Sequence, residues 1–254
     1  MANKNLIQGK VLYCAQLSVV CVMLLLTTAC ATGPNANPRD PAEPFNRGVY
    51  SFNDAVDRAL VKPVATAYRD VFPQPVRTGV TNFFANLQDA WSGVNNALQF
   101  KPRETVESFL RFGVNTTFGL VGLLDIATEM RIERHTEDFG QTLGYWGVGT
   151  GPYLVLPLLG PSTLRDTAAL PVDTQGNLLT NVNDVAARNS AIALDLVNRR
   201  SRLLDASKML DEVALDPYTF TRDAFLQRRR SLVYDGDPPD EALPAVTPAE
   251  DFTK

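Results

Sequence analysis

Histidine and cysteine are scarce in this chain, and their scarcity excludes several kinds of site. The 254 residues include one histidine, His135, and three cysteines, Cys14, Cys21 and Cys30. The first two cysteines fall in an N-terminal apolar stretch, so we expect neither a disulfide framework nor a Cys/His zinc site in the rest of the chain. We therefore predict no metal centre and no cofactor.

Motifs for catalysis and nucleotide binding are also missing. The run Gly147-Val148-Gly149-Thr150-Gly151 is neither a G-x-G-x-x-G loop nor followed by the lysine of a phosphate-binding loop. Ser162 does not lie in a G-x-S-x-G motif, and His135 sits in a charged run typical of a solvated loop. Since no nucleophile is paired with a base, we predict that the protein is not an enzyme.

An excess of basic residues is lacking as well. Lys and Arg number 24 and Asp and Glu number 28, which gives a net charge of −4. Nucleic-acid binding usually requires a strongly basic face, so we predict that the protein binds no nucleic acid. No apolar–polar alternation is long enough to indicate a sheet, and the expected fold class is all-α.

The N-terminus has the features of a lipoprotein signal. Lys4 and Lys10 precede an apolar run of 16 residues, Val11–Leu26, and Ala29 is the small residue before Cys30. Ala29-Cys30 resembles a bacterial lipobox, in which Cys30 is acylated and becomes the first residue. Ala31 after it is typical of lipoproteins sent to the outer membrane. The alternative is an uncleaved membrane helix, for which the run is short.

Composition divides the mature chain into a tether, a core and a tail. Residues 31–41 are rich in Pro, Gly and Asn without apolar periodicity, and residues 235–254 contain four prolines and six acids. We predict these boundaries: 1–29 signal peptide, 30–41 lipidated tether, 42–232 helical domain, 233–254 disordered acidic tail.

Apolar residues at helical spacing predict the elements of the core. The clearest stripe contains Val76, Val80, Phe83, Phe84, Leu87, Trp91, Val94 and Leu98. Pro102 and Asp216-Pro217 are typical of helix starts, and Lys62-Pro63 of an interruption. The predicted helices are 45–56, 75–98, a third from Pro102, one region across 181–213 and a last helix from Pro217 to Arg230.

Two uncharged segments, 112–124 and 139–164, are unusual for a soluble helical protein. The second has the length to span a bilayer, but its glycines and prolines exclude one continuous helix. We predict membrane contact without a helical span; a buried hairpin in an ordinary core is the alternative. The side chains expected to contact lipid are Tyr145, Trp146, Tyr153, Leu154, Leu156, Leu158, Phe118, Leu120 and Leu123.

Several short motifs follow one another along the core of the chain. They are Asp40-Pro41-Ala42-Glu43-Pro44-Phe45-Asn46-Arg47, Pro73–Phe83, Phe139-Gly140-Gln141-Thr142-Leu143-Gly144, Gly147–Tyr153, Leu164-Arg165-Asp166 and Asp216-Pro217-Tyr218. In content and order they resemble one known family, the MlaA (VacJ) outer-membrane lipoproteins. The resemblance spans about residues 40–230.

The resemblance implies a single all-helical, ring-shaped domain, embedded in the periplasmic-side inner leaflet of the outer membrane, with an amphipathic central channel. It implies removal of phospholipid misplaced in the outer leaflet, transfer to a periplasmic carrier, and association with trimeric porins. Gly147, Gly149 and Gly151 are then candidates for the hinge of a channel hairpin. Two other functions stay open: a lipoprotein that only scaffolds porins, and an envelope hydrolase.

Overall fold

The computed structural model describes residues 37–240, and this part of the chain is mostly helical, as predicted. The signal peptide, Cys30 and residues 241–254 lie outside the described residues. The elements are α1 (Glu43–Val56), a π-helical turn (Asp57–Val61), α2 (Lys62–Val71), α3 (Gln74–Leu98), α4 (Pro102–Thr117), α5 (Ile126–Glu129), α6 (Phe139–Tyr145), β1 (Tyr153–Leu156), β2 (Gly160–Thr163), α7 (Leu164–Gly176), α8 (Val185–Arg202), α9 (Leu204–Val213) and α10 (Pro217–Val233). Between residues 37 and 240, none of the helices combines the length and the apolar character needed to cross a membrane.

Lys62-Pro63 does not interrupt the first helix, contrary to the prediction. The backbone stays helical from α1 through the π-helical turn into α2, and Pro63 lies in the first turn of α2. Proline removes one N–H from the helical ladder, and the wider turn directly before it accommodates that loss. The result is one continuous helical stretch from Glu43 to Val71 instead of two separate helices.

Helix starts agree well with the sequence because their capping residues are local signals. α3 begins at Gln74 beside the predicted Pro75, and α4 begins at Pro102. Asp216 accepts hydrogen bonds from the backbone N–H groups of Tyr218 and Thr219 and so caps α10, as predicted. The end of α10 lies at Val233, beyond the predicted Arg230.

The region predicted as helical across 181–213 is two helices in the structure. Asp184 caps α8 by accepting from the N–H of Ala187 at 2.7 Å, so this helix starts later than expected. The helix is then interrupted at Leu203, and α9 begins at the next residue. Apolar spacing persists across the break, and for this reason periodicity did not reveal it.

A small sheet is present where none was expected. β1 and β2 form an antiparallel hairpin, with Tyr153 opposite Thr163 and Leu156 opposite Gly160. Each strand has four residues, too few for alternation to be recognised in the sequence. The hairpin follows the glycine-rich loop and leads directly into α7.

Helix pairs and the hairpin define the packing of the domain. α3 packs along α4, α2 along α8, α6 against α7, and α1 against β1. The start of the predicted tail is also part of the fold, since the carboxylate of Asp235 lies 2.6 Å from Nζ of Lys101. The prediction of disorder from residue 233 is therefore wrong for these first residues.

Candidate functional site: an inverted interior and a docked hairpin

Most of the residues predicted to contact lipid lie on the surface. Six of the nine are exposed, two are half-buried and one is buried. The exposed six are Phe118, Leu120, Leu123, Tyr145, Trp146 and Leu158, and the half-buried two are Leu154 and Leu156. Exposing large apolar side chains of this kind to water is unfavourable, and contiguous patches of them often mark interaction surfaces.

Tyr153 is the buried exception, and the prediction of lipid contact is wrong for this residue. Its ring is completely buried and packs against those of Tyr218, at 6.3 Å between centroids, and Phe225, at 6.1 Å. Burial raises the pKa of its hydroxyl. Because side chains alternate along a strand, Tyr153 and Val155 face inward and Leu154 and Leu156 face outward.

The loop after α4 presents apolar side chains from a backbone that disfavours them. Leu120 and Val121 have φ angles of 53° and 60°, in the left-handed region, and Gly122 follows with 91°. This conformation costs roughly 1–2 kcal/mol for each residue that has a Cβ. Backbone hydrogen bonds hold the turn, from Val121 N–H to Thr116 and from Gly122 N–H to Asn115. Apolar groups held outward at such a cost are typical of functional surfaces.

The interior of α3 is polar, the reverse of a soluble helix. Of the stripe predicted to be its apolar face, Phe84 alone is buried, whereas Val76, Val94 and Leu98 are exposed. The buried face consists instead of polar side chains at a spacing of three or four residues: Asn86, Asp89, Ser92, Asn95, Asn96 and Gln99.

These polar groups bond to neighbouring elements. Nδ2 of Asn86 donates to Oγ1 of Thr116 at 2.9 Å on α4. Nε2 of Gln99 donates to Oε2 of Glu137 at 3.0 Å, in the segment before α6. Burial raises the pKa of Glu137 to about 7, against the opposing effects of Gln99 and Lys101. Side-chain hydrogen bonds therefore join α3 to its neighbours.

A buried network of charges continues this interior between α3 and α4. The guanidinium of Arg111, 1 % exposed, binds Asp125 at 2.7 and 2.8 Å and lies 3.4 Å from the carboxylate of Asp89. Arg134 approaches Asp89 at 3.2 Å from the other side. Burial raises the pKa of Asp89 to about 6 even though both arginines favour its charged form. The pairing of Arg111 with Asp125 and Asp89 offsets the cost of burying these charges.

Two asparagine side chains of α1 attach the hairpin to this helix. Their amides bond to backbone groups of the hairpin, as the backbone of a neighbouring strand would. Asn46 is fully buried; its Nδ2 donates to the carbonyl of Tyr153 at 3.0 Å, and its Oδ1 accepts from the N–H of Val155 at 2.9 Å. The same Nδ2 also donates to Oδ1 of Asp40 at 2.7 Å. The amide thus pairs with the edge of β1 that faces away from β2.

Asn53 repeats this pairing seven residues later on the same face of α1. Its Nδ2 donates to the carbonyl of Leu156 at 2.9 Å, and its Oδ1 accepts from the N–H of Leu158 at 2.8 Å. Asn53 is half-buried, and it holds the tip of the hairpin, whereas the buried Asn46 holds the root. The two amides fix the hairpin along α1 at both ends.

A cavity of about 280 Å³ lies beside the docked hairpin. Val155 and Pro161 of the hairpin, Tyr50 of α1, and Leu203 at the break between α8 and α9 supply apolar walls. Charged groups also line it, among them Asp54, Asp57, Arg58, Lys62, Arg200 and Asp211. An apolar wall and a charged lining in one cavity suit an amphiphilic ligand.

A guanidinium ties the π-helical turn to the end of α8 at this cavity. Arg200 donates to both carboxylate oxygens of Asp57, at 2.8 and 2.7 Å, and to Oγ of Ser207 at 3.1 Å. π-helical turns inside α-helices occur frequently at functional sites. Asp57 of this turn and Leu203 at the break both line the cavity, so two irregular points of the backbone border it.

The three glycines predicted as a hinge share one exposed loop before β1. Gly147 and Gly151 have positive φ, 88° and 69°, and Gly149 does not. A Cβ at Gly147 or Gly149 would meet no atom within 4 Å, whereas one at Gly151 would lie 3.0 Å from Cβ of Leu164. The backbone therefore requires glycine at Gly147 and Gly151 but not at Gly149.

Comparison with known proteins decides the family. The family model described as "MlaA lipoprotein" matches residues 38–232. The chain belongs to the MlaA lipoprotein family. Its family match covers every helix and strand described above except the last residue of α10.

MlaA relatives from several bacteria match over most of their length. The "Intermembrane phospholipid transport system lipoprotein MlaA" of Escherichia coli K12 is 35 % identical over 247 residues, which cover 94 % of this chain and 97 % of the relative. The Haemophilus influenzae protein of the same name is 31 % identical, with 82 % and 86 % covered. A Rickettsia bellii protein described as uncharacterised is 34 % identical over 76 % of each chain.

A solved structure with a similar fold supports the architecture. It comes from work described as "Structural basis for maintenance of bacterial outer membrane lipid asymmetry". The TM-score is 0.68 at 36 % identity, and the match covers 76 % of this chain and 98 % of that one.

Sequence reasoning missed the asparagines that dock the hairpin and the polar face of α3. Asn46 and Asn53 stand seven residues apart, two helical turns, and this spacing was a usable signal. The polar residues of α3 recur with the same period as its apolar ones, on the opposite face. Only the burial of each face shows which one is inside.

Proposed function

We propose that this chain is an outer-membrane lipoprotein of an intermembrane phospholipid transport system. It removes phospholipid mislocalised in the outer leaflet, passes it to a periplasmic carrier, and so maintains lipid asymmetry. The observation that supports this proposal best is the inverted interior, with polar side chains buried along α3 and large apolar side chains exposed on the loops.

The inverted interior suits a domain embedded in a lipid phase. Apolar side chains such as Phe118, Leu120 and Leu158 gain nothing from burial inside the protein if hydrocarbon already covers them. Buried polar groups bond to each other, as Nδ2 of Asn86 does to Thr116 and Nε2 of Gln99 does to Glu137. Acylation at Cys30 adds the anchor, since several acyl chains give stable membrane binding.

The proposed path for lipid is an amphipathic channel through a helical ring, with the cavity beside the hairpin as part of it. A phospholipid has to move a polar head past hydrocarbon, and an unpaired charge there costs several kcal/mol. Lys62 can meet the phosphate while Val155, Pro161 and Leu203 meet the acyl chains. Both halves of the lipid then have matching surroundings.

Partners follow from the proposed direction of transfer. A soluble periplasmic carrier has to accept the lipid, since acyl chains do not cross an aqueous space unaccompanied. Trimeric porins are the proposed neighbours in the membrane. We propose that the protein lies on the periplasmic side of the outer membrane, with the acyl chains of Cys30 anchored in its inner leaflet.

The test measures phospholipid in the outer leaflet of cells that lack this protein. We expect the amount to rise, with sensitivity to detergent plus chelator, and to return to normal with the wild-type gene. Leu120→Asp should restore it poorly, because a charge at an exposed apolar loop opposes insertion. Asn189→Asp, an exposed charge-matched control on α8, should restore it fully.

Two other outcomes would replace the proposal. A porin scaffold would leave outer-leaflet phospholipid unchanged in the deleted strain while reducing porin assembly. An envelope hydrolase would change the level of a cleavage product, such as lysophospholipid, before any change in intact phospholipid.

A further inference from the structure

The single histidine of the chain lies in a cluster of possible metal ligands. Ligand atoms of Glu107, Glu133 and His135 all lie within 4.8 Å of one another. Nε2 of His135 is 2.6 Å from Oε2 of Glu107. Glu107 stands on α4, and the other two belong to the segment between α5 and α6. Residues two apart project to one side of an extended segment, which brings Glu133 and His135 toward the same helix.

The side of this cluster next to α4 is acidic and leaves ligand oxygens available. Nε of Arg103 donates to Oε1 of Glu107 at 2.9 Å, but the side chain of Arg103 is 75 % exposed and can turn away. Glu104 and Glu133 add negative charge near Arg103. On the other side, Arg131 and Arg134 line the same pocket as Glu133 and partly balance this charge.

We propose that Glu107, Glu133 and His135 form a binding site for a divalent transition-metal ion, best suited to Zn²⁺. One imidazole nitrogen with two carboxylate oxygens is a donor set that Zn²⁺ accepts, with water completing a tetrahedron. Ca²⁺ and Mg²⁺ favour sites made of oxygen alone. The inference is independent of phospholipid transport, and it revises the sequence-based prediction of no metal centre.

The movement needed to bind the ion is small. Ligands about 2.0–2.2 Å from Zn²⁺ in a tetrahedron are separated from each other by roughly 3.3–3.5 Å. Oε2 of Glu107 and Nε2 of His135 therefore have to separate by less than about 1 Å, and the exposed Glu133 has to turn inward. The ion would then replace Arg103 and link α4 to the segment before α6.

The experiment titrates the purified mature chain, in detergent and with an affinity tag free of histidine, with ZnCl₂ by calorimetry. Co²⁺ in place of Zn²⁺ reports coordination geometry through its visible absorption. We expect one Zn²⁺ per chain and a melting temperature that rises with Zn²⁺. His135→Ala and Glu133→Gln should each weaken binding tenfold or more. Arg103→Gln should tighten it, because the competing cation is removed.

Glu129→Gln is the matched control, since it removes a nearby exposed acid outside the cluster and should leave Zn²⁺ affinity unchanged. Because Glu133 is exposed, Glu133→Gln should not disturb folding. A loss of Zn²⁺ binding in this variant is therefore not explained by misfolding. The proposal is overturned if Zn²⁺ uptake does not saturate, or if both ligand variants bind as the wild type does. Tighter binding of Ca²⁺ than of Zn²⁺ would overturn the assigned class of ion.

Discussion

Removing the side-chain amide of Asn46 should destabilise the whole domain. Asn46→Ala leaves the N–H of Val155 and the carbonyl of Tyr153 without their partner in a fully buried position. Each buried group left unpaired costs about 1–3 kcal/mol, so we expect a loss of roughly 4 kcal/mol. Typical domains have about 5–15 kcal/mol of stability, and a domain of this size shifts by about 2–4 °C per kcal/mol. The expected fall in melting temperature is therefore on the order of 10 °C.

Asn53→Ala removes the same two kinds of hydrogen bond but should cost far less. Leu156 and Leu158 lie near the hairpin tip, where Leu158 is exposed and water can replace the lost amide. We expect about 1 kcal/mol or less from this variant. Its main effect should be local, as faster exchange of the Leu158 amide hydrogen.

Thermal unfolding of the mature protein in detergent, followed by circular dichroism, measures both effects. Asn189→Ala, an exposed asparagine on α8, is the control for loss of an amide and should melt within about 1 °C of wild type. Hydrogen exchange resolves the hairpin tip from its root. If the melting temperature falls no further in Asn46→Ala than in Asn53→Ala, burial does not determine the loss of stability. The explanation based on hairpin docking then fails.

Three further predictions concern acylation, the glycine loop and pH. Cys30→Ala should leave an unprocessed chain that incorporates no fatty-acid label; a variant that still takes up label would contradict acylation at this residue. Gly147→Val should impair phospholipid removal more than Gly149→Val at equal protein level, because only Gly147 has positive φ, at 88°; equal protection of the membrane by both variants would refute a hinge at Gly147. Burial raises the pKa of Glu137 from its ordinary 4.5 to about 7, so its contribution to stability is present below pH 4.5 and is lost as pH rises to 7. The melting temperature of wild type minus that of Glu137→Gln should fall across this interval and then level off; a difference independent of pH would show that Glu137 titrates normally.

Local signals made the helix starts predictable, and the absence of local signals explains the errors. Pro102 and Asp216 act on backbone groups within one turn, so their effect is visible in the sequence. The break at Leu203 and the π-helical turn before Pro63 depend on what lies across the domain, such as the pairing of Arg200 with Asp57. Short windows of sequence do not contain that information.

The candidate site was predictable in part for the same reason. The absence of charge in 112–124 and 139–164 predicted lipid contact, and Phe118, Leu120 and Leu158 of these segments are exposed; lipid contact itself stays a prediction. It did not distinguish Leu154 from Tyr153, because the strand that turns one outward and the other inward was not recognised. The helical period of α3 was visible in the sequence. The same period is expected whether the apolar face or the polar face of the helix is buried.

The polar interior of α3 gives this protein an unusual map of tolerated substitutions. Among the described residues, the most exposed Val, Leu and Phe side chains pack little against the rest of the domain, so exchanges among apolar residues of different size should be tolerated there. Asn86, Asn96 and Gln99 each donate a side-chain hydrogen bond to a fixed acceptor, and few side chains of that size can donate in the same place. In a library of random variants, small polar positions should therefore be the most constrained and large apolar positions the most variable, the opposite of the profile of a water-soluble helical bundle.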